Sequence, residues 1–357
     1  MSRSAAPDAP GPGPSPSRPG PERAWRGRID GDGPEHARWH QRVRSAAHPA
    51  SRADLPGPRG PGPTPTADGA GHTGAGLQVS VLGFRSDEGV RRNRGRIGSA
   101  EGPTALRAAL APQAVHEPIS ILDHGDAVTV GDDLEGGQAE AAALITAALD
   151  DPGTGLTVVL GGGHETAWAS YRGLMASHAL GDRRWGVLNL DAHFDLRDED
   201  RPTSGTPFAQ MAAAEREAGR ALEYAVLGIA ESSNTAVLFE RARALGVRWL
   251  TDLECAEAGA AGIRTFVEDF ARDLDVLYLT IDLDVLPAAV APGVSAPAGL
   301  GVETALVAAA VRAAAATGRL RLLDVVELSP ALDIDARTAR TAARLVDMAV
   351  HEVAARR

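Results

Sequence analysis

From residue 77 to the end, short apolar runs of strand length alternate with stretches of helical periodicity, and that alternation narrows the architecture more than any other feature of the chain. Apolar runs at 77–84, 119–122, 156–160, 185–190, 224–229, 247–250, 276–281 and 320–327 read as strands. Helical patterns at 102–110, 136–149, 166–179, 208–218, 235–245, 260–273 and 302–317 lie between them, and a long one at 336–354 closes the chain. Pro103 stands near the first position of its helix, where a missing N–H costs nothing. Strand and helix in strict turn require parallel strands joined by right-handed crossovers. The expected fold is therefore α/β: a three-layer αβα arrangement around a doubly wound, mostly parallel sheet, with ligands beyond the carboxyl ends of its strands.

Four strand ends carry chemistry. The run ending at Leu190 is followed by Asp191, His193 and Asp195 at every second position, which on an extended backbone would leave on one side. Gly161-Gly162-Gly163-His164-Glu165 follows the strand ending at Leu160, Asp282-Leu283-Asp284 follows Ile281, and Glu327-Leu328-Ser329-Pro330 follows Val326. Asp and His after a strand are often ordinary turn residues. Four such ends on one edge of one parallel sheet point instead to a metal site.

The donor set, His164, Asp191, His193, Asp195, Asp282 and Asp284, is too rich in oxygen for structural zinc and larger than one ion needs. It suits two Mn²⁺-type ions sharing carboxylates, which at about 3.5–4 Å apart can hold and activate a water. Mg²⁺ or Ca²⁺ would make less use of the imidazoles. Competing motifs are incomplete. The glycines lack the Lys of a phosphate-binding loop, and the chain has no Lys at all. Trp168 stands where a zincin helix repeats its histidine, and Ser204 has no G-x-S-x-G elbow around it.

Composition removes other classes. A formal net charge of -11 disfavours nucleic acid, whose binding rests on phosphate neutralisation. No apolar run is long enough to span a bilayer, and no apolar signal core opens the chain. Cys255 is the only cysteine, so a reducing, cytoplasmic setting is expected and the thiol reads as structural. Residues 1–24 are rich in Pro, Gly, Ser and Ala and are expected to be a disordered tail. Residues 25–44, with Trp25, Trp39 and a helical first turn at Pro34-Glu35-His36, read as an arm that docks onto the main domain. Residues 45–76 return to Pro and Gly and read as a flexible connection to a catalytic domain at 77–357. The arginine-dense stretch 85–96 reads as a loop able to hold an anion, or as a solvated charged loop.

Taken together, GGGHE, LDAHFDLR, SGTPF, TIDLDVLP and ELSP resemble the ureohydrolase superfamily of arginase, agmatinase and formimidoylglutamase, over about residues 77–354. The formimidoylglutamase branch is the nearest likeness, through GFRSDEGVRRNRGRIG at 83–98, glycine rather than aspartate at Gly163, Arg197 closing DAHFDLR, and the arm at 25–44. The resemblance implies two manganese ions per chain. His164, Asp191, Asp195 and Asp282 would hold one, and Asp191, His193, Asp282 and Asp284 the other, with Asp191 and Asp282 bridging. It further implies that Asp195 orients the attacking water and that Glu327 bonds the amidine-like nitrogens of substrate. Assembly as a homo-oligomer, trimer or hexamer, is implied as well.

The implied reaction is hydrolysis of N-formimidoyl-L-glutamate to L-glutamate and formamide in histidine degradation. Arg197, where arginases carry a neutral asparagine, suits a bidentate grip on a substrate carboxylate, with a rim salt bridge as its structural alternative. Ser204, Thr206 and Asn234 are candidate substrate contacts or loop scaffolding. Arginases and agmatinases place a histidine in the loop that here reads Ser204-Gly205-Thr206-Pro207-Phe208, so Asp195, solvent or a basic leaving amine has to take over the proton transfer. The alternatives are an amidinohydrolase that releases urea from a guanidino acid, or a catalytically silent relative.

Overall fold

The computed structural model describes residues 24–46 and 76–357. The expected tail and connection, apart from their border residues, lie outside the described residues. In chain order the strands are β1 (Val43–Ser45), β2 (Leu77–Arg85), β3 (Ile119–Val128), β4 (Thr154–Leu160), β5 (Trp185–Leu190), β6 (Tyr224–Ile229), β7 (Arg248–Thr251), β8 (Val276–Asp282) and β9 (Leu320–Val326). The helices are α1 (Trp39–Arg42), α2 (Glu88–Arg92), α3 (Gly102–Leu110), α4 (Leu134–Asp150), α5 (Thr166–Ala176), α6 (Pro207–Glu217), α7 (Ala236–Ala244), α8 (Asp252–Ala271), α9 (Thr304–Ala316) and α10 (Arg337–Ala354).

Among the described residues the strands form one sheet in the order β1-β3-β2-β4-β9-β8-β5-β6-β7, with every pairing parallel. Alternate side chains of each central strand enter opposite cores. Leu188, Leu190, Leu277 and Leu279 pack with Leu106 of α3, Ile263 and Val267 of α8, Val311 of α9 and Val346 of α10. Val187, Val276 and Tyr278 pack with Ile145 of α4, Tyr171 of α5, Phe208 of α6 and Leu238 of α7. Strands buried on both faces and helices on either side make the three layers that the alternation demands.

Three segments depart from the sequence-based expectation. β3 runs on through Asp123-His124-Gly125-Asp126, because the fully buried Arg107 pairs with Asp123 at 2.8 Å and Asp126 at 2.6 Å and so lets acidic residues stay in the strand. The arginine-rich stretch contains α2, in which the buried Glu88 accepts from Arg91 at 2.5 Å and Arg92 at 2.9 Å. α8 begins well before residue 260, capped by Thr251 and Glu254 in a reciprocal box, and is broken at Gly259, whose φ of 60° and ψ of -176° are not helical.

Residues 24–46 lie along the sheet edge, where β1 pairs with β3. Trp39 is fully buried, and its indole N–H donates to Asp347 of α10 at 2.9 Å. Trp25 donates to Asp123 at 2.6 Å and stacks on Trp39.

The arrangement of the central strands fixes the site. β4, β9, β8 and β5 are neighbours, although the chain visits them far apart in sequence. Their ends are in register: Leu160 faces Val325, Val325 faces Ile281, and Ile281 faces Leu190. Gly161, Glu327, Asp282 and Asp191 therefore emerge side by side at one edge.

Candidate metal centre

The His164 turn is set by close packing. A Cβ on Gly162 would lie 1.8 Å from the Ser86 carbonyl oxygen, so the β4 end can approach β2 only with glycine there. Glu165, fully buried, accepts from the Ser86 hydroxyl at 2.8 Å and the Gly89 N–H at 3.0 Å, tying this turn to the start of α2. His164 Nε2 meets Thr280 Oγ1 of β8 at 3.1 Å. That contact leaves Nδ1 to face the carboxylates.

His164 Nδ1 lies 3.1 Å from an Asp191 oxygen, 3.0 Å from an Asp195 oxygen and 3.1 Å from an Asp282 oxygen. His193 Nδ1 lies 3.1 Å from Asp284 and 3.5 Å from the other oxygen of Asp191. Two donor clusters result, His164-Asp191-Asp195 and Asp191-His193-Asp284, and Asp191 belongs to both. The second oxygen of Asp282 accepts the Asp284 N–H at 2.9 Å, so on its geometry here Asp282 faces the His164 cluster. The backbone is not extended through 191–195 as the every-second-position pattern supposed. It bends at Ala192 and His193, and Asp195 is left-handed with φ 48°. Glu327, with φ 69°, is left-handed as well, and strain of this kind concentrates at functional sites.

Electrostatics make the need for cations explicit. Burial lowers the proton affinity of His164, but Asp191, Asp195 and Asp282 override it and hold its pKa well above the usual imidazole range. Burial opposes the charged form of His193 too, and Asp284 and Asp191 raise its pKa well above normal. Asp282 is pushed far up by burial and by Asp284 and Asp191, and Asp195 rises for similar reasons. Asp191 alone falls, because both imidazoles face it and outweigh its burial.

The residues present fit a pair of divalent ions. His164 Nδ1 is buried and has no partner in hydrogen-bond geometry, although three carboxylates surround it. Donor separations of 3.0–3.1 Å around it match the edge of a coordination polyhedron whose bonds are about 2.1 Å. Four carboxylates, Asp191, Asp195, Asp282 and Asp284, carry the charge that two divalent cations balance.

Glu327 accepts the His164 N–H at 2.8 Å through Oε1, while its Oε2 is buried without a partner. Burial and the neighbouring Glu165 push its pKa up to about 8. Arg197 is half-buried, and its guanidinium makes no ion pair or hydrogen bond among the described residues. The Ser204 hydroxyl accepts from Asn93 Nδ2 at 3.2 Å and keeps its own proton free for another acceptor.

Two candidate substrate contacts have their side chains hydrogen-bonded within the loops. Asn234 accepts the Phe194 N–H at 3.1 Å and donates to the carbonyls of Ala192 and Ala230, both at 2.9 Å, which spends its amide on the loop carrying His193. The Thr206 hydroxyl bonds Thr203 N and O, each at 3.0 Å, and Gln210 at 3.0 Å, pinning the entry to α6. Most arginines expected to offer an anion site in 85–96 are also committed. Arg85 pairs with Glu101, Arg91 and Arg92 with Glu88, and Arg96 donates to the carbonyls of Val294 and Ser295.

Supporting residues missed from the sequence are Asn189, which donates to Asp191 at 2.9 Å, Thr280, Tyr224 and Glu165. Tyr224 accepts from Asn189 at 3.2 Å and donates to the Phe194 carbonyl at 2.9 Å. For Asn189, Thr280 and Tyr224 the signal was a polar residue in an otherwise apolar strand, which burial tolerates only with a partner; Glu165 stands in the turn before α5 and carried no such signal.

Comparison with known proteins agrees with this geometry. The pattern of the Arginase family matches residues 77–351. The chain is similar to formimidoylglutamase of Rhodococcus jostii, at 47% identity over 327 residues covering 91% of this chain and 94% of the relative. It is similar to formimidoylglutamase of Nocardia farcinica at 48% over 330 residues, 92% of this chain and 96% of the relative. Among solved structures, formimidoylglutamase from Bacillus subtilis superposes with a TM-score of 0.70 at 23% identity, over 77% of this chain and 87% of the other. Trypanosoma cruzi formiminoglutamase with Mn²⁺ does so with 0.68 at 24%, over 78% and 94%. These two structures share the fold. By the matching pattern and the near-complete overlap with its curated relatives, the chain belongs to the arginase family.

Proposed function

We propose that this protein is a binuclear manganese hydrolase that converts N-formimidoyl-L-glutamate and water to L-glutamate and formamide. The observation that carries the reading is identity of 47–48% with formimidoylglutamases over more than nine tenths of both chains. The site supports it from below. His164, Asp191, Asp195 and Asp282 would hold one ion and Asp191, His193 and Asp284 the other, with Asp191 common to both sets. Once bound, such a pair supplies Lewis acidity and an activated water at neutral pH.

The protein's own groups do the rest. Arg197, an unpartnered cation at the rim, takes a substrate carboxylate and orients the amidine toward the buried floor. Glu327 Oε2 accepts an amidine N–H, and the amidinium charge offsets the burial that otherwise holds this carboxyl protonated. Asp195 orients the attacking water against the formimidoyl carbon. Water adds there, the C–N bond to the glutamate nitrogen breaks, and that nitrogen leaves with a proton as the amine. The buried turn at His164 and the loop closed by Asn234 keep bulk water from the floor.

Among the described residues no helix is long and apolar enough to cross a membrane, and the single cysteine fits a reducing, cytoplasmic setting. Assembly as a trimer or hexamer belongs to the same reading and is measured by sedimentation. The test of function is a product assay on manganese-loaded protein, scoring glutamate, formamide, ammonia and urea separately. Glutamate with formamide supports the reading. No turnover of this substrate, with urea released from a guanidino acid, overturns it.

A further inference from the structure

Around Gly205 three groups from two separate loops come together. The Arg197 side chain lies across the glycine, so that a Cβ there would sit 2.7 Å from Arg197 Cδ and 3.0 Å from its Nε. Asn93 Nδ2 is 3.3 Å from the same point and donates to Ser204 Oγ at 3.2 Å. Arg197 N also donates to the Gly205 carbonyl at 2.9 Å, which fixes the strand of chain beneath the guanidinium. Asn93 follows α2, whose charged side chains are consumed by Glu88, Glu135 and the Asp132 carbonyl. The Asn93 amide is the group this segment sends toward Ser204. Its carbonyl oxygen is uncommitted among the described residues, so the bond to Ser204 alone holds the amide.

We infer that Asn93 is a specificity-determining residue, which together with Ser204 and Arg197 forms a subsite on the bare face of Gly205 for the substrate carboxylate farther from the scissile bond. The inference rests on the proposed function and deepens it. Five of the six donors are buried, His193 being the exception, whereas Arg197 and Asn93 are half-exposed, so the reacting amidine sits at the floor and the subsite at the rim. A substrate spanning floor to rim presents its distal end there. In N-formimidoyl-L-glutamate that end is the side-chain carboxylate, three carbons beyond the nitrogen. One guanidinium, one amide N–H and one hydroxyl provide a planar bidentate partner with two further donors, a set suited to a carboxylate. A side chain on residue 205 would displace Arg197 from this arrangement.

Asn93→Asp places a negative charge in the subsite and offers Arg197 an internal partner. Gly205→Ala moves Arg197 without changing charge. Each variant is assayed in the manganese-loaded full chain with N-formimidoyl-L-glutamate, N-formimidoyl-4-aminobutanoate, which keeps only the distal carboxylate, and N-formimidoyl-L-norvaline, which lacks it. KM for the first two is expected to rise by about tenfold or more, with kcat nearly constant and the norvaline compound changed by less than about twofold. Calorimetry gives a readout independent of turnover: L-glutamate binds Asn93→Asp more weakly than wild type, while L-norvaline binds both alike. An equal penalty on all three substrates, or none on any, overturns the inference. If wild type opens 4-guanidinobutanoate instead, whose carboxylate has the same three-carbon tether, the series is run with that compound. The proposed substrate then falls while the subsite is still tested.

Discussion

Replacing Arg197 by methionine removes the guanidinium while keeping an unbranched chain of similar length over Gly205. Two features fix what to expect. The guanidinium has no partner among the described residues, so its loss strands no buried carboxylate, and stability should change by no more than about 0.5 kcal/mol. A substrate carboxylate, in contrast, loses a bidentate, charge-assisted pair. Hydrogen bonds to charged groups contribute about 1.5–3 kcal/mol each, and at the partly hydrated rim a total of about 3 kcal/mol is reasonable. That corresponds to a KM raised roughly 150-fold. The grip is remote from the breaking bond and equally strong in ground and transition states, so kcat should hold within about threefold. Steady-state kinetics with N-formimidoyl-L-glutamate, thermal melts and manganese content measured together decide the matter. Unchanged KM refutes the assignment. Loss of manganese or a large drop in melting temperature shows instead that the arginine supports the structure.

Other perturbations test the remaining assignments. Asp191 faces both imidazoles, so Asp191→Ala should reduce manganese from two ions per chain to below about half an ion by elemental analysis, and retention of both would refute its bridging role. Trp39→Ala removes a fully buried indole from the arm and should cost about 3–5 kcal/mol in urea unfolding, while activity per folded molecule is kept because the arm lies at the far edge of the sheet from β5 and β8. A loss below about 1 kcal/mol would mean the arm is only loosely attached. Burial pushes the Cys255 thiol from 9.0 up to about 12, so the folded form binds its proton more tightly than the unfolded form. Its stabilisation is complete below about pH 9 and lost as pH rises toward 12, at about 1.4 kcal/mol per unit; Cys255→Ala should flatten the alkaline stability slope by that amount, and an identical slope would refute it.

The sequence made the sheet and donor set legible because both depend on local pattern. β5 and β6 match their apolar runs at both ends, as α3 matches its proline-led stretch. The six donors needed only short motifs directly after such runs. What escaped was any feature whose cause lies in a distant partner. β3 looked finished at Leu122 because the apolar run ends there, and it takes Arg107, on a helix, and Trp25, on the arm, to make Asp123 and Asp126 acceptable inside a strand. Asn234 and Thr206 stood open between substrate contact and loop scaffolding because the sequence does not show the backbone partners that their side chains bond. β1 is three residues long, and its pairing with β3 leaves almost no trace in composition.

The two halves of the site are built with different stiffness, and this bears on how one chemistry can serve several substrates. His164, Asp191, Asp282 and Glu327 come from strand ends locked in register, and Asn189 and Thr280, buried inside β5 and β8, orient Asp191 and His164 from within the sheet. Moving any one donor would require a strand to slip, which would turn its whole apolar face to the wrong side. Asn93, Ser204 and Arg197 stand on connections between elements and are joined to each other by a single hydrogen bond and contact with one glycine. Changing those residues costs little stability and leaves the donor clusters intact. Selectivity should therefore respond to substitution at 93, 197, 204 and 205 independently of metal affinity, whereas substitutions at 189 or 280 should weaken metal binding for every substrate alike.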